Sequence, residues 1–366
     1  MGVALSINLW LPIRGFPLLP IVDFLEYSPL WISYFLLILF LGSLVTAIFN
    51  NSKIWVFLIL GSIILLGLQD QMRWQPWVYI YSLILYCLLF SKNDKDLDIK
   101  TLGCVQLLLI GIYIWSGVHK LNQNFIDFTY HDILKSVFRI TNPGTFINLR
   151  PFGYSIPALE IMTGLFLLIP ITRKVGIYLA FIIHIFIILY LSPLGINKNQ
   201  IVIPWNIAMV LFVLLSFYQT KNKIAFKAAK KDRTTIQKVL IVLLIWIMPF
   251  FNFFTWWDSY FSFSLYSDKV SDYYIAIEED EIGKIDKRLF SFFVIIPNLK
   301  GGQLIDVNKW ANKELNVPFY PEDRVFEKLS KTFCSIGIAN DKLVFLKIGK
   351  YPKRNQYSSF KCSEIK

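Results

Sequence analysis

Between Leu30 and Trp257 the chain is a succession of apolar runs, each closed by a short loop rich in Pro, Gly or charge. A helix needs about 20 mostly apolar residues to cross a bilayer. A spanning segment must also satisfy its own backbone polar groups, which leaves helices as the natural form. The runs predict spans at about 30–49, 54–69, 76–90, 102–121, 154–171, 175–193, 201–218 and 238–257. Charged residues make up 17% of the 366 residues, against about 25% in soluble proteins. The expected fold is therefore a polytopic α-helical membrane bundle of about eight spans with a small C-terminal extramembrane α/β domain. Its parts are an interfacial entry segment at 1–29, the bundle at 30–257 and the C-terminal domain at 258–366. Pro12, Pro17 and Pro20 interrupt the entry segment, so it reads as neither a straight helix nor a cleavable signal peptide.

The net charge of +12 does not indicate a nucleic-acid binder. Residues 258–366 hold 17 Lys and Arg against 15 Asp and Glu, so most of the excess lies in the membrane part. Loops carrying Lys53, Lys92, Lys95, Lys100, Arg173, Lys174 and the run from Lys221 to Lys238 fall on alternate sides of the spans. Together they hold 13 Lys and Arg, and such loops face the cytoplasm. The opposite short loops carry chiefly Arg73 and Lys198. This orientation puts the N-terminus and the C-terminal domain outside an inner (cytoplasmic) membrane, with the lipid bilayer as a partner.

In the C-terminal domain, Phe261 to Leu265 alternates apolar and small polar residues, which predicts a strand. Leu343 to Leu346 predicts another, and Gly301-Gly302 marks a turn. Pro321 to Cys334 reads as a helix with Val325, Leu329 and Phe333 on one face. Cys334 and Cys362 either pair in an oxidising compartment or remain thiols. Cys87 and Cys104 fall inside spans, where a thiol packs as a small apolar group.

Ionisable and polar residues inside a bundle are costly and tend to mark sites. Lys120 ends the fourth span. Helical rise places Glu160 about 9 Å below the outer surface, Asn206 about 7–8 Å and His184 about 14 Å. Asp70 and Arg73 cap the same side. The set defines an outward-facing polar cavity, with His119 beside Lys120. Each residue also has a plainer use. Lys120 serves equally as an interface anchor. Glu160 pairs with Arg150 or Arg73, and His184 and Asn206 form interhelical hydrogen bonds. A lysine in an apolar pocket has a catalytic use as well, because burial disfavours its charged form and frees it to act as a base. Three dispersed histidines with no paired spacing give no zinc signature. Phosphate-binding loops and nucleophile elbows are missing from the sequence.

Gly117-Val118-His119-Lys120-Leu121-Asn122, followed by Phe125, resembles the motif of the vitamin K-dependent γ-carboxylase superfamily and its HTTM-domain relatives. Glu160-Ile161-Met162-Thr163-Gly164-Leu165-Phe166-Leu167-Leu168 is similar to a helix of HTTM and DoxX-type membrane proteins. The likeness covers about residues 50–217. It implies Lys120 as the base that deprotonates a quinone-like cofactor. His119 stands where those carboxylases have a second lysine, and no histidine precedes it.

Two functional expectations result. In the first, an outward-facing pocket binds a lipophilic, quinone-like ligand. Lys120, Glu160 and His184 act on it, while His119, Asn206, Asp70 and Arg73 shape the pocket. In the second, the membrane part is a non-catalytic, DoxX-like anchor or subunit, and the C-terminal domain binds a partner outside the cytoplasm.

Overall fold

The structure, a computed structural model, describes residues 1–89, 91, 99–197, 201–218, 220, 233–295, 303–349 and 357–365. Most of the 221–238 linker, Lys92, Lys95, Lys198 and the Gly301-Gly302 turn lie outside the described residues.

The protein is a mostly helical membrane protein. Its apolar helices are α1 Leu30–Phe49, α2 Lys53–Gln69, α3 Pro76–Leu89, α4 Ile99–Lys120, α5 Ser155–Leu168, α6 Arg173–Leu191, α7 Val202–Phe217 and α8 Arg233–Ile241. A π turn, Val242–Ile247, and a 3-10 turn, Met248–Phe254, carry α8 onward. Among the described residues, five helical stretches are long and apolar enough to cross a membrane: Leu30–Phe49, Thr101–Lys120, Pro143–Leu168, Arg173–Leu191 and Ile236–Phe254. The other three, α2, α3 and α7, have 17, 14 and 16 residues. At about 1.5 Å per residue they reach roughly 21–26 Å, short of the roughly 30 Å hydrocarbon layer. The expected count of eight spans thus rests on five helices of full length and three short ones.

The helix ending at Ser136 stops before Asn142-Pro143-Gly144, where a new helix, Pro143–Leu149, begins. The Asn142 side chain accepts from the Gly144 and Thr145 amides at 2.8 and 3.3 Å, and proline is well suited to a first helical position. The strand expected at 261–265 is a turn. Phe263, Tyr266 and Asp268 all have φ near +50 to +60°, which no strand admits. Phe263 is nonetheless buried, so the alternation that suggests a strand comes from a turn folded into an apolar core.

Two compact units make up the chain. The first holds residues 1–2, 39–63 and 76–269. Its core gathers Ile80, Cys87, Leu108, Val213, Phe217 and Ile245, and the thiols of Cys87 and Cys104 are free and buried there. Helices α4 and α5 approach closely because each offers a glycine. A methyl group on Gly117 would sit 2.6 Å from the Pro157 carbonyl oxygen, and one on Gly164 would sit 2.6 Å from Ile114. Small residues of this kind let membrane helices pack backbone to backbone.

The second unit holds residues 3–38, 64–75 and 270–366. Its sheet is antiparallel, in the order β2-β3-β1-β4-β5. The strands are β1 Asp272–Ile277, β2 Phe293–Val294, β3 Gln303–Asp306, β4 Leu343–Ile348 and β5 Tyr357–Lys361. Tyr273, Ile275 and Ile277 alternate inward along β1, the period expected of a strand with one covered face. Helices α9 Val307–Leu315 and α10 Asp323–Cys334 contribute to the same core. Val325, Leu329 and Phe333 are buried on α10, and the Phe326 ring lies 4.6 Å from that of Tyr273. The N-terminal segment joins in: Phe16 packs on Trp310 with ring centroids 4.4 Å apart. A disulfide links Cys334, at the end of α10, to Cys362 just after β5.

Candidate functional site

The first unit carries a buried ion pair at the meeting of α4 and α5. Lys120 Nζ donates to Glu160 Oε1 and Oε2, each at 2.8 Å, and to Ser116 Oγ at 2.7 Å. Ser116 lies one helical turn before Lys120, so its hydroxyl faces the same side. An ammonium has three protons to donate, and all three have acceptors here. Both partners are buried, at 8% and 5% exposure. Glu160 therefore pairs with neither Arg150 nor Arg73. Arg150 instead pairs with Asp127 at 2.8 Å.

Deeper between α4, α6 and α7 lies a neutral triad. Asn206 Nδ2 donates to the Val202 carbonyl at 2.8 Å, which orients the amide and turns Oδ1 toward His184. His184 Nδ1 lies 2.6 Å from that oxygen, and Nε2 lies 2.6 Å from the Tyr113 hydroxyl. An amide oxygen only accepts, so Nδ1 carries the proton. In the neutral ring Nε2 then accepts from the Tyr113 hydroxyl. A backbone carbonyl on α7 thus dictates, through two side chains, the direction in which a tyrosine on α4 donates.

A small cavity of about 80 Å³ separates pair and triad, with Ser116, Lys120, Glu160, His184 and Asn206 in its lining. A water molecule takes up about 30 Å³ of liquid, so the space suits a few waters among polar groups. A second cavity, of about 510 Å³, also has Lys120 and Glu160 in its wall. The rest of that wall is chiefly apolar, including Phe125, Ile133, Leu159 and Phe186.

Lys120, Glu160, His184 and Asn206, picked out separately in the sequence, therefore converge. The other expected members go elsewhere. His119 lines neither cavity. Lys269 Nζ donates to its Nδ1 at 3.2 Å and sits 3.5 Å from the Phe253 ring centroid, a cation–π arrangement. Asn122 holds the same segment, donating to the Ser267 carbonyl at 2.8 Å. Asp70 and Arg73 belong to the second unit. Asp70 Oδ2 is 2.6 Å from Arg14 Nη2 and 3.7 Å from Arg73 Nε. Arg73 also donates to the carbonyls of Leu9, Leu66 and Trp10 at 2.9–3.1 Å. Burial lowers its guanidinium to about 10, with Asp70 opposing the shift, so it stays charged at neutral pH.

Tyr113, Ser116 and Lys269 were not anticipated. Tyr113 and Ser116 stand seven and four residues before Lys120, on one helical face, and that spacing is a usable signal. Lys269 is distant in sequence and leaves no such signal. Among the described residues, no three His, Cys, Asp or Glu side chains gather in a group able to hold a metal ion.

Comparison with known proteins corrects the family resemblance. The γ-carboxylase, HTTM and DoxX likeness gives way to a different family, whose model covers the residues that carried the motifs. The short Lys-Leu-Asn and Glu-x-x-x-Gly-Leu patterns are what polar residues at the ends of apolar helices readily produce. No curated protein matches the chain, and no solved structure does. Residues 99–202, which run from α4 to the first residue of α7 and include Lys120, Glu160 and His184, match the model of the family described as methylamine utilisation protein MauE.

Proposed function

We propose that the first unit binds a membrane-soluble small molecule with an apolar body and a polar head, the head meeting Lys120 and Glu160. The observation that carries this reading is the placement of one buried ion pair in the wall of a chiefly apolar cavity of about 510 Å³. Ligand sites of about 300–1,000 Å³ with a few convergent polar groups are typical for small molecules. In this reading Lys120 anchors an acceptor on the head group, and a quinone carbonyl is one such acceptor. Glu160 balances the charge, while His184 and Asn206 fix Tyr113 in the wall of the adjoining cavity of about 80 Å³. A base role for Lys120 requires the head group to draw it away from Glu160 first.

The proposal extends to topology. Eight helices between residues 30 and 257 cross the cytoplasmic membrane, the three short ones with local thinning of the bilayer. Residues 258–366 then lie outside, consistent with the basic residues of the alternate loops.

A second reading is a non-catalytic membrane subunit whose C-terminal domain binds a protein partner. It is favoured by the full satisfaction of Lys120 and His184, which leaves neither poised as an acid or base. The match to a family named for methylamine utilisation is compatible with either reading. Mild detergent extraction followed by mass spectrometry separates them. A lipophilic molecule in stoichiometric amount supports binding. A stoichiometric protein partner with no small molecule sinks the first reading and supports the second.

A further inference from the structure

The second unit has a groove that none of these roles uses. Its volume is about 390 Å³. Leu18, Leu25 and Leu30 contribute apolar surface, and Lys331 and Thr332 of α10 and Ser335 at its C-cap contribute polar atoms. Those three residues, with Lys328, recur at helical spacing on one face of α10, away from the buried Val325, Leu329 and Phe333.

The charges in the groove differ in availability. Lys328 is already paired with Asp23 and Glu26. Lys331 carries no ion pair among the described residues. Lys331 is exposed, and the Thr332 and Ser335 hydroxyls on the same face donate to the Lys328 and Thr332 carbonyls at 3.4 and 2.7 Å, so each must turn from its carbonyl to meet an anion. The Lys331 ammonium suits a phosphate oxygen, with the two hydroxyls within reach on rotation.

The position of the groove names the source of that phosphate. Leu30, in its lining, opens the apolar helix α1. Phe24, Tyr27 and Trp31 around that helix start are all exposed, Tyr27 to 85%, as in the aromatic belt at a membrane interface. Leu30, Tyr34 and Ile38, spaced by four, form an exposed apolar stripe leading away from the groove.

We infer that this groove holds the head group of a bilayer phospholipid. The phosphodiester sits against Lys331, Thr332 and Ser335, and the acyl chains run along the Leu30–Tyr34–Ile38 stripe. A free phosphate ion would satisfy the same cation but would leave the stripe uncovered. The inference is independent of the ligand proposed for the first unit.

The test uses the full chain in nanodiscs containing a trace of phospholipid with a photoactivatable group near the glycerol. Adducts are mapped by digestion and mass spectrometry. They are expected in residues 28–34 and 328–335. Lys331→Glu should lower them roughly two- to fivefold, the range for an exposed charge contact, and Lys331→Arg should retain them. Adducts on residues 39–49 report general annular lipid and should not change. Unchanged labelling in Lys331→Glu overturns the inference, as does an equal loss along the whole helix. Competition by excess inorganic phosphate as effective as competition by unlabelled phospholipid assigns the groove to a free anion and also overturns it.

Discussion

Both units bury charge, but they treat it differently. In the second unit, Asp70 sits between Arg14 and Arg73, and the arginines spend their remaining donors on backbone carbonyls of Leu9, Trp10, Phe16, Pro17 and Leu66. Those carbonyls come from segments far apart in sequence, so the cluster staples the N-terminal segment to the connection after α2. In the first unit, the Lys120–Glu160 pair has, among the described residues, only a serine hydroxyl as a further hydrogen-bond partner, and it faces two cavities. A buried charge saturated by backbone is committed to the fold. The other is the pair proposed above to meet a ligand, which has to take over a bond from Ser116 or Glu160, since all three Lys120 protons are in use. Burial alone does not separate the two cases; the identity of the remaining partners does.

The contrast can be broken most forcefully at Asp70. Asp70→Ala leaves two buried guanidinium groups without their anion, and removing one partner of a buried pair costs about 3–5 kcal/mol. A large drop in thermal stability of the detergent-solubilised protein is expected. A melt within a degree or two of wild type would show that the cluster is no staple.

The close approach that creates the pair is the next target. Gly117→Ala puts a methyl group 2.6 Å from the Pro157 carbonyl oxygen. Overpacking of this kind costs about 1–3 kcal/mol. The helices should separate and weaken both stability and retention of any co-purified small molecule. Equal loss of stability with full retention would detach the cavity from the α4–α5 contact.

A smaller effect is expected at the triad. Tyr113→Phe removes the proton donated to His184, and a net hydrogen bond is worth about 0.5–1.5 kcal/mol. The melt should fall modestly, and the His184 ring should show a changed environment by NMR. An unchanged histidine signal would contradict the assigned tautomer.

The smallest stability effect should come from the pair itself when both partners go together. Lys120→Met combined with Glu160→Leu replaces two charges by apolar groups of similar size, which is often neutral or stabilising. The double variant should melt like the wild type yet lose the small molecule. If it keeps the molecule, the pair is structural, and the two charge clusters are alike after all.

Much of the membrane architecture is legible in the chain because hydropathy and helix length are local properties. The eight apolar helices, the α10 stripe of Val325, Leu329 and Phe333, and strand β4 all follow from spacing along a single element. The positions of Lys120, Glu160, His184 and Asn206 were visible for a related reason: a polar residue within an apolar run is conspicuous and costly, wherever the run goes. Their partners were not. Whether Glu160 meets Lys120, Arg73 or Arg150 depends on which helices touch, and the glycines at 117 and 164 take effect only when α4 and α5 face each other. The turn at 261–265 shows the same limit from the other side. Its alternation matches a strand, but positive φ at Phe263, and at Tyr266 and Asp268 just after it, folds it into the bundle core. The sequence by itself determined which segments are apolar helices and which residues stand out within them. Only the tertiary structure decided which charges are spent on backbone and which face a cavity, because that choice depends on contacts between residues far apart along the chain.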